Sequence, residues 1–439
     1  MNIFETIQNI AYQCIGDKRY SYYKRLKNNL SLSRDEMVSL QNRLIGKLIV
    51  HAYHHTRYYR ELMDSLHLKP EDISCKEDLK KLPLLSKSTI RDNFNALKSD
   101  DRFGNKLFEM TSGGSTGNQA HICKSPYFNQ YSKAALLRNN YITGWEPRDK
   151  SVWLWGAPYE HQKLEDSLVS RIGIIVNRRL LFNAYNYSPD DFPVWYEKIL
   201  RFRPKIIFGY ATIILDFAKY LKANNLLIPN ISHVVSTTET LRERDLIAEV
   251  FKCPVYDFYG CREINGVGVE FPPGTMRIAD DVVALNIYEN GEFVITALHS
   301  YGFPLINYRL GDKGSAIEES TLKNDSLPLS ALTLTIGRTT DNFINSSGRY
   351  ISSSALSTYI STFKINVGEQ QIIQKNYKTF VIHYVPDEGF SEKKYSDVIT
   401  KALEEYFGSP LDLTITRVDK IPLEKSGKKL MFKRMFLND

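Results

Sequence analysis

The strongest constraint on the fold is an alternation of short apolar segments and helical segments between Ser151 and Phe258. The helical segments, Ile213–Ala223 and Leu241–Phe251, carry apolar residues at helical intervals. Strands that alternate with helices usually pair in parallel, so this region predicts a largely parallel sheet covered by helices. The strand-like segments are Ser151–Trp155, Lys205–Tyr210, His233–Thr237 and Val255–Phe258.

The regions on either side have other patterns. The segments Val283–Tyr288 and Glu292–Ala297 flank Asn290-Gly291, which predicts a hairpin with a type I′ turn. The first hundred or so residues predict helices joined by loops, and the last hundred or so predict a small α+β module. A chain of 439 residues is too long for one ordinary core. We therefore predict an α/β protein with a large N-terminal domain of helix-covered mixed sheets, residues 1–340, and a small mobile α+β C-terminal domain, residues 341–439.

Charge and cysteine content exclude several classes of protein. Lys and Arg number 57 and Asp and Glu 50, a net charge of +7 that is too weak and too dispersed for a nucleic-acid partner. A weak positive net charge of this kind suits the binding of an anionic small molecule. The five cysteines contain no C-x-x-C pair, which argues against a disulfide framework and a zinc ribbon. A reducing cytoplasm is the expected location.

Two N-terminal features have more than one interpretation. The segment Lys18–Lys27 mixes cations with tyrosines, so it either contacts anionic lipid peripherally or packs on its tyrosines, and we favour packing. No apolar run is long enough to predict a membrane span. His51, His54 and His55 lie at helical spacing, but no carboxylate or cysteine near them in the sequence completes a metal site. We interpret them as part of a helix surface.

The segment Met110–Gly117 predicts a phosphate-binding loop. Its glycines let backbone N–H groups converge on an anion, and its hydroxyls add neutral donors. It is not a Walker loop, because no Lys-Ser or Lys-Thr follows the last glycine. A flexible linker is the alternative. The predicted phosphate-binding residues are Thr111, Ser112, Gly113, Gly114, Ser115, Thr116 and Gly117.

This loop and four later segments resemble the motifs of the adenylate-forming superfamily, which includes acyl-CoA synthetases, luciferases and nonribosomal peptide adenylation domains. The five similarities occur in the family order and span nearly the whole chain. The four later segments are Tyr259-Gly-Cys-Arg-Glu263, Tyr308-Arg-Leu-Gly-Asp312, Gly337-Arg-Thr-Thr-Asp341 and Ile421–Lys428.

The resemblance implies ATP and Mg²⁺ as cofactors and gives roles to individual residues. It makes Lys428 the cation that bridges the acid and the α-phosphate, and Glu263 the magnesium ligand. Asp312 is expected at the ribose hydroxyls, and Arg338 at ribose or phosphate oxygen. The remaining residues expected at the nucleotide are Tyr259, against adenine, with Gly260 and Glu239. Helix capping by Thr238 or Thr240 is a competing explanation for the Glu239 segment.

The chain departs from the family pattern at several positions. Asn118-Gln119 replaces the usual Pro-Lys after the loop, so any role of that lysine is absent. Arg262 replaces a threonine, which adds a catalytic cation near the phosphates or reshapes acid selection. Thr340 replaces a hinge aspartate, which leaves the pivot of the mobile domain open. Segment Val269–Met276 lacks the cysteine and histidine ligands of some relatives, so no structural zinc is expected there.

Segments Tyr58–Leu62, Cys75–Pro83 and Ser86–Ile90 follow one another in a succession that is similar to the start of the phenylacetate–CoA ligases. Within that branch the chain also resembles CapK-type proteins of capsular polysaccharide synthesis. Trp153–Pro158 and Phe208–Thr212 carry the second similarity. The acid is expected near Tyr159, His161 and Tyr210, which either contact a polar acid or are core aromatics with one satisfied histidine.

These similarities predict an AMP-forming ligase that activates a carboxylic acid with ATP and transfers it to an amine or thiol. An amine acceptor would fit synthesis of a surface polysaccharide. One alternative is an acyl-CoA ligase that uses CoA, and another is a nucleotide-binding scaffold without catalysis. The acid, the acceptor and the oligomeric state stay open.

Overall fold

The structure is a computed structural model, and it describes most of the chain. The described residues are 3–111, 121–155, 173–184, 186–239, 241–318, 326–336, 343–351, 353–361, 363, 365, 367–387, 389–421 and 430–436.

The helices with defined bounds are α1 (Ile3–Cys14), α2 (Arg19–Asn28), α3 (Arg34–His55), α4 (Arg57–Ser65), α5 (Lys87–Asp92), α6 (Pro126–Ile142), α7 (Phe192–Phe202), α8 (Ala211–Ala223), α9 (Arg244–Phe251), α10 (Ser353–Ser361) and α11 (Glu392–Phe407). Single 3-10 turns occur at Asn29–Ser31, Pro70–Asp72, Asp78–Lys81 and Pro189–Asp191.

The strands are β1 (Phe108–Thr111), β2 (His121–Lys124), β3 (Ser151–Trp155), β4 (Arg179–Asn183), β5 (Asn186–Tyr187), β6 (Ile206–Tyr210), β7 (His233–Thr237), β8 (Val255–Tyr259), β9 (Gly268–Glu270) and β10 (Met276–Ile278). They continue as β11 (Val283–Ile287), β12 (Glu292–Ala297), β13 (Tyr308–Ala316), β14 (Ala331–Ile336), β15 (Phe343–Ile344), β16 (Tyr350–Ile351), β17 (Val367–Gln374), β18 (Thr379–Pro386), β19 (Asp412–Arg417) and β20 (Phe432–Arg434).

The chain forms two compact units, each built from separate stretches of sequence. The first unit comprises Met1–Met110, Ala120–Pro147 and Tyr256–Gly337. The second comprises Thr111–Gln119, Arg148–Val255 and Arg338–Asp439.

Antiparallel pairing dominates the first unit. Its larger sheet has the strand order β11-β12-β13-β14-β10-β9-β8, with β8 contributing from Tyr256 onward, and β1 pairs with β2 in a smaller sheet. Neighbouring strands of the larger sheet run antiparallel. Helix α3 begins at a capping box, in which the Ser33 side chain accepts from Glu36 N–H and the Glu36 side chain accepts from Ser33 N–H.

Parallel pairing dominates the amino-terminal part of the second unit. Strands follow the order β7-β6-β3-β4, and each neighbouring pair is parallel. Helices α8 and α9 contribute Ile214, Phe217 and Ile247 to a core that also contains Val234 of β7. The predicted helix-covered parallel sheet is therefore confirmed, and the bounds of β3 and β7 coincide with the predicted ones.

The predicted hairpin at Asn290-Gly291 is confirmed, but its turn type is wrong. Gly291 has φ +78°, whereas Asn290 is not among the described non-glycine residues with positive φ. The N–H of Tyr288 donates to the Glu292 carbonyl, so three residues form the loop. A three-residue loop that ends in a left-handed glycine belongs to the type I turn with a G1 bulge, not to type I′.

The carboxy-terminal part of the second unit is an α+β module. Its sheet has the order β19-β18-β17-β20, and Phe380, Ile382 and Ile372 share one core with Ile399 and Leu403 of α11. Helix α11 ends where Gly408 adopts φ +67°, as expected for a left-handed cap. The predicted domain boundary at residues 340 and 341 lies outside the described residues and stays a prediction.

The tyrosines of Lys18–Lys27 are packed. Tyr20 and Tyr23 of α2 are buried, and Tyr20 donates to the side chain of the buried Gln8 on α1. This placement matches the packing interpretation of the segment. Among the described helices, none has both the length and the apolar character that crossing a membrane requires.

Candidate nucleotide site

A compact turn positions the Tyr259–Glu263 segment. Strand β8 ends at Tyr259, and the chain turns back into β9 by Gly268. Within the turn the Cys261 N–H donates to the Ile264 carbonyl at 3.0 Å, and the Ile264 N–H donates to Cys261 Sγ at 3.3 Å. These bonds hold the intervening Arg262 and Glu263 in a defined backbone conformation.

The Tyr308–Asp312 segment meets this turn through two hydrogen bonds. Tyr308, the first residue of β13, is buried and donates its hydroxyl to Glu263 Oε1 at 2.9 Å. Tyr259 donates its hydroxyl to Asp312 Oδ2 at 3.0 Å. The first residue of each motif thus contacts the last residue of the other. Two motifs that the sequence singled out separately form one group of side chains.

A buried lysine that the sequence analysis missed lies beside the same turn. Lys124, the last residue of β2, donates from Nζ to the Arg262 carbonyl oxygen at 2.8 Å. Burial lowers the pKa of Lys124 to about 8, although the nearby Cys261 and Glu263 favour its charged form. The only sequence signal is a lysine at the end of a short strand after the glycine loop.

Arg262 adds a second cation to the group. It is half-buried, and its charge acts with the burial to lower the pKa of Lys124. Lys124 and Arg262 therefore place two cationic side chains at the turn that carries Glu263. Positive charge in a region partly shielded from water is suited to binding an anion.

The implied Mg²⁺ fits the chemistry of Glu263. Mg²⁺ prefers oxygen ligands and is commonly bound through one or two carboxylates together with substrate phosphates and waters. Glu263 is buried, and the Tyr308 hydroxyl orients its carboxylate. This residue would provide one protein ligand. Asp312, whose carboxylate accepts from Tyr259, has the acceptor oxygens expected for ribose hydroxyls.

Glu239 caps a helix in the second unit. Its Oε2 accepts from the backbone N–H of Thr212 at 3.0 Å and from Thr212 Oγ1 at 2.6 Å, at the first turn of α8. A carboxylate at a helix N-terminus is favourable. Helix capping is the alternative explanation for this segment, but it predicts Thr238 or Thr240, rather than Glu239, as the capping residue. Thr238 has φ +75°, and Thr240 lies outside the described residues.

Tyr210 belongs to an aromatic cluster in the second unit. It is buried at the end of β6, and its ring centroid lies 4.6 Å from that of Trp155. The core-aromatic interpretation accounts for this placement, and a role in acid binding stays a prediction.

The other predicted site residues lie outside the described residues. Thr111 ends β1, and its side chain is not described. The remaining ones are Ser112, Gly113, Gly114, Ser115, Thr116, Gly117, Tyr159, His161, Arg338 and Lys428. The structure therefore unites Tyr259, Glu263, Asp312, Arg262 and Lys124, with Gly260 in the turn.

The carboxy-terminal module matches a known protein family. Residues 343–435 match the family described as CapK C-terminal domain. The carboxy-terminal module is thus similar to this family. This match spans strands β15 to β20 and both helices of the module.

Two curated relatives extend the similarity beyond the CapK C-terminal domain. Protein CapK of Staphylococcus aureus is 24% identical over 440 residues, which cover 97% of this chain and 96% of that protein. Phenylacetate-coenzyme A ligase of Escherichia coli (strain K12) is 23% identical over 306 residues, covering 64% and 67%. The predicted resemblance to the adenylate-forming superfamily, in its phenylacetate–CoA ligase and CapK-type branch, is confirmed.

A solved structure supports the fold. 2-Hydroxyisobutyryl-CoA ligase in complex with 2-HIB-AMP and CoA has a TM-score of 0.58 and 15% identity, and the match covers 92% of this chain and 91% of that one. The same enzyme in a postadenylation state has a TM-score of 0.55. The predicted α/β fold with a small carboxy-terminal domain is thereby confirmed.

The carboxy-terminal module has direct contacts within the second unit. Strand β16 pairs antiparallel with β5, and the Tyr350 ring lies 5.5 Å from the Tyr187 ring. Arg349 pairs with Asp191 at 3.1 Å. These contacts join the domain to the chain segment that begins at β5.

Proposed function

We propose that this protein is an AMP-forming ligase that activates a carboxylic acid with ATP. The crossed hydrogen bonds Tyr308–Glu263 and Tyr259–Asp312 carry this proposal, because they bring two motifs of adenylate-forming enzymes into one site. The relationship to Protein CapK and to phenylacetate-coenzyme A ligase supports the same class of reaction.

The first step joins two anions. A carboxylate oxygen of the acid attacks the α-phosphorus of ATP, a new P–O bond forms, and the bond to the pyrophosphate oxygen breaks. The site must then stabilise negative charge on the α-phosphate of the transferred adenylyl group and on the leaving pyrophosphate. Lys124 and Arg262 supply positive charge beside Glu263, and Mg²⁺ on Glu263 would neutralise phosphate charge. We propose Lys428 and the 111–117 loop as the remaining donors.

The second step transfers the acyl group. A thiol or amine attacks the acyl carbon, AMP leaves, and a thioester or an amide forms. We propose both CoA and an amine of a polysaccharide precursor as candidate acceptors, since one curated relative is a CoA ligase and the other is CapK. A cytoplasmic location is part of the proposal, because ATP is available there and all five cysteines are free thiols.

A pyrophosphate-release screen tests the first step. The full-length chain is incubated with MgATP and panels of aromatic, amino and uronic acids, and each active acid is repeated with CoA or with candidate amines. We expect Lys428→Ala to lower the rate about 10²–10³-fold, as loss of a transition-state donor does. Lys429→Ala is the matched control, and its rate should stay within about twofold of wild type.

The outcomes separate the alternatives. AMP release that accelerates with CoA identifies a CoA ligase, and amide formation without CoA identifies an amine ligase. If no acid elicits pyrophosphate while MgATP still binds, the scaffold alternative replaces this proposal. Equal rates for wild type and Lys428→Ala would remove that lysine from the mechanism.

A further inference from the structure

Two histidines and an aspartate converge on one face of the first unit. His51 and His55 lie one turn apart on α3, and Asp101 comes from the segment that follows Ser99. One potential ligand atom from each residue lies within 4.8 Å of the others. The sequence interpretation of these histidines as plain helix surface depended on the lack of a neighbouring carboxylate. The fold supplies that carboxylate.

The hydrogen bonding of His51 leaves Nδ1, the ring nitrogen that faces Asp101, available to bind a metal. Its Nε2 lies 2.9 Å from the carbonyl oxygen of Tyr301, which only accepts hydrogen bonds. Nε2 therefore carries the proton, and Nδ1 keeps its lone pair. Nδ1 lies 3.9 Å from Asp101 Oδ2. A backbone carbonyl that binds the far N–H of a histidine is the usual support of a metal-binding imidazole.

Asp101 and His55 are also held in place. The Oδ1 of Asp101 accepts from the Ser99 hydroxyl and from the Phe103 N–H, each at 2.8 Å, so its other oxygen faces His51. The ring of His55 is oriented by Asp100, whose Oδ1 lies 3.0 Å from Nδ1. Each of the three side chains is thus fixed by a second group that would not itself bind the metal.

We propose that His51, His55 and Asp101 form a zinc site with one position open to solvent or to a fourth ligand. Bonds of about 2.0–2.2 Å in a tetrahedral site place ligand atoms ~3.3 Å apart. Because the ligand atoms of the cluster lie within 4.8 Å of one another, metal binding would require them to approach by at most about 1.5 Å. His55 has 41% of its side chain exposed, which leaves one side of the site accessible.

The surroundings favour zinc over a hard cation. Arg43 and Lys47 line the same groove as His51 and His55, and their charges would repel Ca²⁺ or Mg²⁺ held mainly by electrostatic attraction. Imidazole nitrogens bind Zn²⁺ by donating lone pairs, so two histidines offset this repulsion. The site would tie α3 to the segment at residues 99–103. It does not depend on the proposed ligase activity.

Calorimetric titration of ZnCl₂ into the metal-free, full-length chain without a histidine tag tests the site. Wild type should bind one Zn²⁺. His55→Ala and Asp101→Asn should each raise the Kd at least about 100-fold, because loss of a direct ligand exceeds the 10–100-fold effect of a supporting group. His54→Ala is the matched control. His54 lines the same groove on α3 but is not part of the cluster, so its Kd should stay within about twofold of wild type.

Folding of each variant is checked by circular dichroism, and Co²⁺ in place of Zn²⁺ reports tetrahedral geometry through its visible absorption. Both altered side chains are partly exposed, so the variants should fold. The proposal is overturned if wild type fails to saturate with one Zn²⁺. It is equally overturned if folded His55→Ala and Asp101→Asn bind as tightly as wild type, or if His54→Ala loses as much affinity as they do.

Discussion

The Tyr308 hydroxyl donates to Oε1 of Glu263 at 2.9 Å, although 45 residues separate the two along the chain. Tyr308 starts β13 and Glu263 belongs to the turn between β8 and β9, so this bond joins two segments of the first unit. A buried carboxylate retains its charge at lower cost when a hydroxyl donates to it. The bond therefore prepares Glu263 to act as an anionic ligand.

We predict that Tyr308→Phe weakens magnesium-dependent ATP binding. A hydrogen bond to a charged group contributes about 1.5–3 kcal/mol, which corresponds to a loss of about 10–100-fold if the bond persists in the complex. The Kd of MgATP, measured by calorimetry without acid, should rise, and the Mg²⁺ concentration for half-maximal binding should rise with it.

Tyr53→Phe is the matched control for this change. Tyr53 donates to Asp64 at 2.8 Å on the exposed surface of the first unit, so the same hydroxyl-to-carboxylate bond is lost far from the motifs. Its MgATP affinity should equal that of wild type. Unchanged affinity in folded Tyr308→Phe would contradict the role of this hydroxyl.

A second prediction concerns the turn that carries Glu263. Gly266 has φ +73°, and a Cβ there would lie 2.8 Å from Ala135 Cβ and 3.0 Å from the Leu136 nitrogen. Gly266→Ala should cost about 2–4 kcal/mol of unfolding free energy, from the left-handed backbone and from the contact with α6. Urea denaturation measures this loss.

Gly274→Ala separates the two causes. Gly274 has φ +88°, and nothing lies within 4 Å of a Cβ there. This variant should lose only the backbone contribution of about 1–2 kcal/mol. Equal losses in both variants would show that the contact of residue 266 with α6 contributes nothing.

A third prediction uses Lys124, whose pKa burial lowers to about 8 from 10.5. Between these values the unfolded chain binds more protons than the folded chain, so stability rises with pH. Lys124→Met should flatten this rise between about pH 8 and 10.5 and should be more stable than wild type near pH 7. The same variant should lower the rate of pyrophosphate release in the presence of the carboxylic acid substrate about 10–100-fold at neutral pH. This loss corresponds to an increase of ~1.4–2.8 kcal/mol in the activation free energy.

Lys133→Met is the control for charge removal. Lys133 also has a pKa lowered to about 8 by burial, with Arg19 contributing, but it lies on α6 near Asp17. It should flatten the stability profile and leave pyrophosphate release unchanged. A folded Lys124→Met variant with wild-type release rates would exclude Lys124 from the chemistry.

The sequence predicted the elements whose pattern is local. The β-branched and aromatic content of Ser151–Trp155 and His233–Thr237 sufficed for their bounds, because buried parallel strands are short apolar runs between turns. The predicted type of the turn at Asn290-Gly291 was wrong, because the type of a hairpin turn depends on the register of the paired strands. Here Ile287 pairs with Phe293, and the three residues of the loop exclude the two-residue type.

Residues that act through distant partners were not predictable. Lys124 reaches the carbonyl of Arg262 across 138 positions, and its place on a short strand after the glycine loop does not indicate that partner. Asp101 meets His51 only through the fold. The motif residues were found because their order resembles a family, whereas the bonds Tyr308–Glu263 and Tyr259–Asp312 required the structure.

The last prediction concerns Asp216, which accepts from the Tyr187 hydroxyl at 2.7 Å in the second unit. Burial raises the pKa of Asp216 above its ordinary value of 3.8, against the opposing effects of that hydrogen bond and of Lys219. The folded state thus binds the proton more tightly than the unfolded state. The contribution of protonated Asp216 to the free energy of unfolding is fully present below pH 3.8, and it is lost as pH rises through the raised pKa.

Asp216→Asn should therefore be more stable than wild type at pH 7, because the amide carries no charge and its oxygen still accepts from Tyr187. The advantage should shrink as pH falls toward 3.8, which urea denaturation at several pH values measures. Asp190→Asn, at an exposed position before α7, is the matched Asp-to-Asn variant measured at the same pH values. A stability gain that is equal at pH 4 and pH 7 would contradict this account, since titration of Asp216 requires the two values to differ.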